Sequence, residues 1–405
     1  MKVAMIGQKG VPTRFGGVER HVEKLAVRLG SLGHEVTVYT RCWYAPADPD
    51  FARNVSVVVT PTLRTKHLDT ITHTLTSTLH AMRSGAEVIH YHGVGPSLLS
   101  WVPRIFASQI RVVATFHSVD REHQKWGLFA RLVLGLGERA ACRFPHEVIA
   151  VSRALKEYCR ARYDCGARYV PNGVDVSRVK PDNKPLESFG LEKGEYLIST
   201  GRLIPVKGFH HLIKAFRALK KKKQTRGFKL AIVGGSSYSD SYVNRLRRLA
   251  GRDEDVVFTG FVSGEPLESL IAGSYAAVQP SEVEGLSLSV LEAMAHGKAV
   301  LASDIPGNRE ALGEHGLYFD PADVTDLTQQ LKVLLSDKKL AAGLGAESRE
   351  HVMAHYDWDE IAAATDEIYR GVSLRRPSKS MGHLAGLAVL GVVALIAYFL
   401  FFDKE

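Results

Sequence analysis

Short apolar runs recur along the chain, and each leads through a polar or glycine-rich turn into a stretch with helical spacing. Residues 3–7 predict a buried first strand, and residues 7–17 form a glycine-rich loop. Val22, Leu25, Ala26 and Leu29 then share one face of a predicted helix, which leads to a strand at residues 36–39. This opening is a strand–helix–strand unit whose loop is able to approach an anion.

The same alternation continues to about residue 369 and indicates the α/β class. Further strands, some with their loops, are predicted at residues 89–92, 112–118, 147–151, 196–199, 230–235, 256–262 and 275–278. Helices are predicted at residues 152–163, where Ser152 is the expected cap, from 209 onward, and at 286–295, 326–335 and 356–369. Residues 181–190 are rich in Pro, Asp and Lys and predict a linker.

Composition narrows the possible partners. The 405 residues are enough for two domains plus an appendage, and the net charge of +9 suits nucleic acid, an anionic membrane or a phosphate-bearing ligand. No motif that combines aromatic and basic residues supports nucleic acid, so no such partner is predicted. The four cysteines lack Cys-x-x-Cys spacing and indicate reduced thiols in the cytosol, and the apolar run at the N-terminus is too short for a secretory signal.

The most informative stretch is residues 280–297, which predicts an acidic turn between a strand and a helix. Unpaired amides near Ser287 and Leu288, together with the helix dipole, would form a seat for phosphate. Glu284 lies in the turn and Glu292 eight residues later, which is about 12 Å along a helix axis. This separation fits two hydroxyl clusters of one long ligand better than the roughly 5–9.5 Å of a glycoside hydrolase pair. A solvated acidic turn with a surface glutamate is the alternative.

Two histidine positions are further candidates. His90 and His92 would face the same side of a strand and could ligate a metal, but no third ligand is near them in the sequence, so substrate contact or packing is favoured. His117 follows another predicted strand, where a structural histidine is the alternative to a ligand contact. The loop at residues 7–17 lacks the spacing of a dinucleotide-binding fingerprint.

The run Pro-Ser-x-x-Glu-Gly-x-x-Leu-x-x-Leu-Glu-Ala-Met-Ala-x-Gly at residues 280–297 resembles the signature of retaining family 4 (group 1) glycosyltransferases of the GT-B fold. The resemblance covers nearly all of residues 1–371. It implies that Glu284 lies at the donor sugar and that Glu292 holds the nucleotide ribose. Many members have Phe-Gly where this chain has Leu286 and Ser287, a change that keeps the backbone contacts.

The resemblance also assigns the remaining donor-side residues. Gly-Arg-Leu…Lys-Gly at residues 201–208 implies that Arg202 and Lys207 hold the donor diphosphate. A fixed guanidinium and ammonium stabilise the charge that grows on the leaving group more than they stabilise the ground state. His117 would meet the sugar hydroxyls. The other implied donor contacts are Gly16, Gly17, Gly234, Val262, Gly285, Leu286, Ser287 and Leu288.

The N-terminal half resembles bacterial rhamnosyltransferase-like enzymes of cell-surface polysaccharide synthesis. The Phe-Gly-Gly-Val-Glu stretch and the residues after His117 carry this likeness. They make His92, Asp120, Arg121 and Trp126 acceptor-side candidates. The acceptor implied by the family and by the apolar segment described next is a glycan or a polyprenyl-linked glycan.

The chain is expected to form two Rossmann-like domains facing a cleft, followed by a membrane anchor. The domains are residues 1–178 on the acceptor side and 179–355 on the nucleotide-sugar side, with a crossover helix at 356–371 and a basic linker at 372–383. Residues 384–402 carry no charge and would span about 28 Å as a helix, close to a bilayer core of about 30 Å. A buried core helix is the alternative, but this segment is apolar on all sides. Arg375, Arg376 and Lys379 precede it, which places the catalytic domains in the cytoplasm at the inner membrane.

The expected activity is transfer of a sugar, with retention, from a nucleotide-diphosphate donor to the acceptor. No metal or other cofactor is expected, because Arg202 and Lys207 would neutralise the leaving group. Two rivals remain. One is an epimerase or phosphorylase of the same fold, and the other is a non-catalytic sugar-nucleotide sensor at the membrane.

Overall fold

The computed structural model describes residues 1–14, 16–44, 51–65, 68–119, 121, 128–175, 182–236 and 239–371. Their contacts divide the chain into two compact units. Unit 1 comprises Met1–Thr13, Val18–Pro171 and Trp358–Glu405, and unit 2 comprises Arg14–Gly17 and Asn172–Asp357.

The sheet of unit 1 is parallel throughout the described residues. Its seven strands lie in the order β3-β2-β1-β4-β5-β6-β7. The strands are β1 (Lys2–Ile6), β2 (Glu35–Arg41), β3 (Val55–Thr60), β4 (Val88–His92), β5 (Arg111–Phe116), β6 (Glu147–Ala150) and β7 (Arg168–Tyr169). β4 and β5 are buried at every residue, which is typical of a parallel sheet covered on both faces.

Helices pack around this sheet. They are α1 (Gly17–Ser31), α2 (Leu68–Arg83), α3 (Val94–Ser97), α4 (Trp101–Phe106), α5 (Leu128–Arg143), α6 (Arg153–Tyr163) and, near the end of the described chain, α15 (Trp358–Arg370). Ser152 caps α6 by accepting a hydrogen bond from the Leu155 amide at 3.2 Å, as predicted. Trp358 and Ile361 of α15 are buried in the core that also holds Val22 and Leu25 of α1, so α15 belongs to unit 1.

Unit 2 contains a second parallel sheet, with six strands in the order β10-β9-β8-β11-β12-β13 among the described residues. The strands are β8 (Tyr196–Thr200), β9 (Lys229–Val233), β10 (Val256–Gly260), β11 (Ala276–Gln279), β12 (Ala299–Ser303) and β13 (Leu317–Phe319). The helices are α7 (Asn183–Ser188), α8 (Phe209–Lys221), α9 (Asp240–Ala250), α10 (Glu265–Gly273), α11 (Leu288–Ala295), α12 (Pro306–Leu312), α13 (Val324–Ser336) and α14 (Lys338–His355).

Helix α7 corrects the prediction of a linker at residues 181–190. The side chain of Asp182 caps this helix by accepting a hydrogen bond from the Lys184 amide at 3.1 Å. Leu186 is buried, and a Cβ built on Gly273 of α10 would lie only 2.6 Å from its Cδ2. A cap and one well-packed apolar side chain therefore outweigh the linker-like composition.

Each sheet reverses its strand order at one place: between β1 and β4 in unit 1, and between β8 and β11 in unit 2. Ligands of open α/β sheets bind outside the carboxyl ends of the strands at such a reversal. The acidic turn follows β11, and the segment with Arg202 and Lys207 follows β8. The chain order therefore brings both predicted donor motifs of unit 2 to the expected edge of its sheet.

No helix within the described residues is both long enough and apolar enough to cross a membrane. The predicted span at residues 384–402 and the basic segment at 372–383 lie outside those residues. Both stay predictions.

Candidate functional site

The acidic turn of unit 2 has the predicted strand–turn–helix form. Helix α11 begins at Leu288, two residues later than predicted, with Ser287 at its cap position. The Ser287 side chain makes no capping hydrogen bond, and its Oγ lies 2.9 Å from Ser289 Oγ. The first amides of α11 therefore remain uncapped by Ser287, as a seat for an anion requires.

Glu284 is a carboxylate of the turn that several neighbours hold in place. Its Oε1 accepts hydrogen bonds from Lys207 Nζ and, at 2.9 Å, from Gln279 Nε2. Burial alone would raise the pKa of this carboxyl. The Lys207 charge and hydrogen bonds from Lys207, Ser281 and Gln279 outweigh that effect and lower the pKa below its ordinary value. Glu284 is thus ionised at neutral pH and stabilises the folded chain there, an effect that is lost as the pH falls through the lowered pKa.

Polar residues that the sequence did not single out position this carboxylate. Gln279, the last residue of β11, accepts a hydrogen bond from Ser289 Oγ at 3.0 Å through its Oε1, which orients its amide toward Glu284. Ser303 Oγ donates to the carbonyl of Ser281, and Asn308 Nδ2 donates to Ser303 Oγ at 3.0 Å. These are common residue types in ordinary local patterns, so only their convergence in space shows their role.

The segment after β8 is joined to the acidic turn through the backbone. The Glu282 amide donates to the Val206 carbonyl at 2.8 Å. Gly208 has φ 67°, and a Cβ built there would lie 1.9 Å from the Pro280 carbonyl oxygen. Only glycine allows this approach. Lys207, the preceding residue, is thereby held against Glu284.

Arg202 and Gly234 lie on the neighbouring loops after β8 and β9. A Cβ built on Gly234 would lie 1.8 Å from the Gly201 carbonyl oxygen, so these two loops touch through their backbones. Among the residues that the structure describes, the Arg202 guanidinium has neither an ion-pair nor a hydrogen-bond partner. Arg202 is therefore the cation of this pair that is not already neutralised by Glu284.

The remaining donor-side candidates of unit 2 are mostly buried. Gly285, Leu286 and Ser287 are buried in the turn, and Leu288 is half-buried at the start of α11. Glu292 is 9% exposed on α11. Val262 is half-buried just after β10, and the Leu286 carbonyl accepts a hydrogen bond from Asn172 Nδ2 at 2.8 Å.

The histidines of unit 1 form a cluster that the sequence only partly predicted. His92 ends β4, and its Nδ1 lies 3.3 Å from Nε2 of His117, which follows β5. His21 of α1 joins them in space, a convergence that the sequence did not predict. His90 is held differently: its two ring nitrogens are 2.7 Å from the hydroxyls of Tyr369 and Thr115.

Burial is the main cause of the lowered pKa values in this group of histidines. Burial, followed by the charges of neighbouring histidines, lowers the pKa of His92 and of His117 well below the ordinary value. The same two effects lower the pKa of His90 to about 3. These three imidazoles are therefore neutral at physiological pH.

The remaining site candidates of the N-terminal half lie in different segments of the chain. Gly16 (φ 106°) and Gly17 lie at the start of α1, in the segment Arg14–Gly17 that groups with unit 2. Arg121 Nε lies 3.3 Å from the buried Glu138 carboxylate, so Arg121 has a structural partner inside unit 1. Asp120 and Trp126 lie outside the described residues.

Family comparisons identify both halves of the chain. Residues 15–178 match the family described as Glycosyltransferase Family 4, and residues 184–351 match the family described as Glycosyl transferases group 1. The chain belongs to the family 4 glycosyltransferases. The two matches meet between residues 178 and 184, and the signature that carries Arg202, Lys207 and Glu284 falls within the second.

Curated relatives span almost the whole of this glycosyltransferase. The GDP-mannose-dependent alpha-(1-6)-phosphatidylinositol monomannoside mannosyltransferase of Mycobacterium tuberculosis is 28% identical over 386 residues, which are 89% of this chain and 96% of the relative. The glycogen synthase of Mycobacterium tuberculosis is 26% identical over 414 residues, covering 91% and 94%. The phosphatidyl-myo-inositol mannosyltransferase of Mycolicibacterium smegmatis is 28% identical over 371 residues, covering 88% and 91%.

Solved structures confirm the GT-B fold. Sucrose-phosphate synthase from Thermosynechococcus elongatus superposes with a TM-score of 0.79 at 24% identity, covering 91% of this chain and 98% of that one. Anabaena HepE in complex with UDP and glucose gives a TM-score of 0.75 at 20% identity, covering 92% and 100%. The two parallel sheets of the glycosyltransferase are thus those of a GT-B enzyme.

Proposed function

We propose that this glycosyltransferase moves a sugar, with retention of configuration, from a nucleotide-diphosphate donor to a glycan or lipid-linked acceptor in cell-surface polysaccharide synthesis. The observation that carries the proposal is the half-buried, ionised Glu284 hydrogen-bonded to Lys207, at the carboxyl ends of adjacent strands where the strand order reverses. A carboxylate held next to a cation at such an edge suits a ligand that combines a sugar with a diphosphate.

The proposed reaction takes place on one face of the donor sugar. The bond between the anomeric carbon and the phosphate oxygen breaks, and the electron pair leaves with the nucleoside diphosphate. The acceptor oxygen forms its bond on the same face, and its proton passes to the departing phosphate oxygen. Glu284 supports the developing positive charge on the ring, His117 contacts the sugar hydroxyls, and Arg202 and Lys207 stabilise the negative charge on the leaving group.

We infer the classes of donor and acceptor from the names of the relatives. Two mannosyltransferases among them act, by their names, on phosphatidylinositol-based acceptors, and one is GDP-mannose-dependent. These names support a hexose donor and an acceptor at a membrane. The likeness of the N-terminal half to rhamnosyltransferase-like enzymes supports a deoxyhexose as the alternative donor sugar. We further propose that residues 384–402 anchor the enzyme in the inner membrane with its catalytic domains in the cytoplasm.

A titration with nucleoside diphosphate alone distinguishes the proposed roles of Glu284 and Glu292. Glu292→Gln is expected to weaken binding by about tenfold or more, because a ribose contact contributes equally in the ground and transition states. Glu284→Gln is expected to lower the transfer rate while changing nucleoside diphosphate affinity much less. Calorimetric titration of UDP and GDP into each variant checks this, and undiminished affinity in Glu292→Gln would exclude the ribose role.

A further inference from the structure

Three imidazole rings of unit 1 converge from three separate elements. His21 comes from α1, His92 from the end of β4, and His117 from the segment after β5. One ring nitrogen from each lies within 4.8 Å of the other two. The ring centroids are 4.8 Å apart for His21 and His117, and 5.6 Å apart for each of the other two pairs.

This spacing is close to that of a three-histidine metal site. Zinc–nitrogen bonds of 2.0–2.1 Å in tetrahedral geometry place the ligating nitrogens about 3.3–3.4 Å apart and the ring centroids about 5 Å apart. Nδ1 of His92 and Nε2 of His117 are already 3.3 Å apart. One nitrogen of each ring lies within 4.8 Å of one nitrogen of the other two, so a shift of about 1.5 Å, within reach of a side-chain rotation, brings three nitrogens to bonding distance.

The ring nitrogens of His92 and His117 are suited to ligation. A neutral imidazole offers a lone pair, and two facing nitrogens share only one proton between them. Nε2 of His92, the ring nitrogen that does not face His117, is buried and has no hydrogen-bond partner among the described residues, so no protein group fixes which nitrogen of His92 carries the proton. His90 differs, because hydroxyls of Tyr369 and Thr115 occupy both of its nitrogens. The cluster thus has three convergent rings, and His90 lies apart from them with both of its nitrogens bonded to hydroxyls.

Solvent reaches this cluster through His117. His21 and His92 are 3% and 2% exposed, whereas His117 is half-buried. An ion entering from that side would meet three nitrogen ligands and keep its fourth position for water or an anion, as three-histidine zinc sites do.

We propose that His21, His92 and His117 form a binding site for a divalent transition-metal cation of the zinc type, and that an ion bound there slows sugar transfer by occupying the imidazole of His117. Imidazole ligands suit Zn²⁺ and its neighbours and do not suit Mg²⁺ or Ca²⁺. The inhibitory effect rests on the proposed role of His117 at the sugar. The metal site itself does not depend on that role.

A second histidine group offers a comparison. His210, His211 and Glu282 of unit 2 also bring ligand atoms within 4.8 Å of one another. There, however, Nδ1 of His210 lies 2.9 Å from the Tyr242 hydroxyl, which already occupies that nitrogen. This group therefore serves as the control site.

Calorimetric titration of Zn²⁺ into the full chain tests the site. We expect one site that is lost in His21→Gln and in His117→Gln and kept in His211→Gln. Zinc-edge anomalous diffraction from a soaked wild-type crystal locates the ion without any variant, so a variant that fails to fold does not obscure the answer. No bound zinc in the wild type, or an anomalous peak away from these three rings, would overturn the proposal.

Transfer assays with and without Zn²⁺ test whether the bound ion slows sugar transfer. Each variant is compared with its own metal-free rate. The wild-type rate is expected to fall about tenfold or more when the site is full, and the His21→Gln rate to stay unchanged by zinc. Zinc bound at the three rings without inhibition contradicts the inhibitory effect alone. Zinc bound by a chain that transfers no sugar contradicts the proposed function and leaves the metal site standing.

Discussion

At the scale of single residues, the pairing of Lys207 with Glu284 decides which cation is left for an incoming diphosphate. The two charges compensate each other, and Gln279 adds a neutral hydrogen bond to the same carboxylate oxygen. Arg202 has no such partner within the described part of the chain. Its guanidinium can therefore bind a diphosphate without first breaking an ion pair. The Lys207 ammonium must instead be shared between the diphosphate and the Glu284 carboxylate.

Alanine at these two cations should separate catalysis from stability. We expect Arg202→Ala and Lys207→Ala each to lower the transfer rate by about 10²–10³, as the loss of a transition-state donor typically does. Only Lys207→Ala should also destabilise the donor-free protein, by about 1–3 kcal/mol, because it removes the cationic partner of the half-buried Glu284 carboxylate. Steady-state kinetics and thermal unfolding measure the two effects.

The matched control is Lys332→Ala, because Lys332 is an exposed lysine of α13. It should change neither the rate nor the unfolding temperature appreciably. Near-native transfer by both Arg202→Ala and Lys207→Ala would show that the diphosphate is held elsewhere.

At the scale of elements, helix α12 supports the acidic turn through a glycine. A Cβ built on Gly307 would lie 2.6 Å from the Glu284 carbonyl oxygen and 2.8 Å from that of Gly285. Real Cβ contacts are not this short, so the turn would have to move. The position of Glu284 thus depends on how closely α12 approaches.

Gly307→Ala should lower the transfer rate by about tenfold or more, because a displaced turn misplaces Glu284. Gly343→Ala is the control, since Gly343 lies in α14 and a Cβ built there would meet nothing within 4 Å. That substitution should stabilise the chain by about 0.5–1 kcal/mol, as alanine does in a helix interior, and leave the rate unchanged. Equal rates in the two variants would contradict the supporting role of α12.

The elements also show how much of the fold and of the candidate site can be predicted from the sequence. The first strand–helix–strand unit and the turn between β11 and α11 were predicted because their apolar periods and glycines are local. The three histidines were not assembled, since α1, β4 and β5 meet only through the sheet order. Gln279, Ser303 and Asn308 carry no local signal, because their hydrogen bonds to the turn exist only in the folded chain.

At the scale of the whole molecule, the chain joins a GT-B enzyme to an apolar segment at residues 384–402, outside the described residues. The catalytic part and a membrane-held acceptor would meet at one surface if that segment spans the bilayer. The basic residues before it favour a cytoplasmic enzyme.

Removing the residues after Pro377 should release an enzyme that keeps its activity toward a soluble acceptor mimic and is slower toward a lipid-borne acceptor. Within the full chain, Val393→Arg should weaken insertion by about 2.5–3.5 kcal/mol, whereas Val393→Leu should not. Membrane fractionation after a carbonate wash measures the release of the truncated enzyme and the insertion of the Val393 variants. Transfer assays with the two acceptors measure the activities. Quantitative release of the unaltered full-length protein by that wash would show that it does not span the membrane.

The most direct test of the central claim is the anomeric configuration of the first product, followed by proton nuclear magnetic resonance during a reaction with a nucleotide-sugar donor and an acceptor. The account predicts a product with the same anomeric configuration as the donor, formed in step with nucleoside diphosphate release and slowed strongly in Glu284→Gln. A product of inverted configuration, or transfer that Glu284→Gln leaves unchanged, would contradict it.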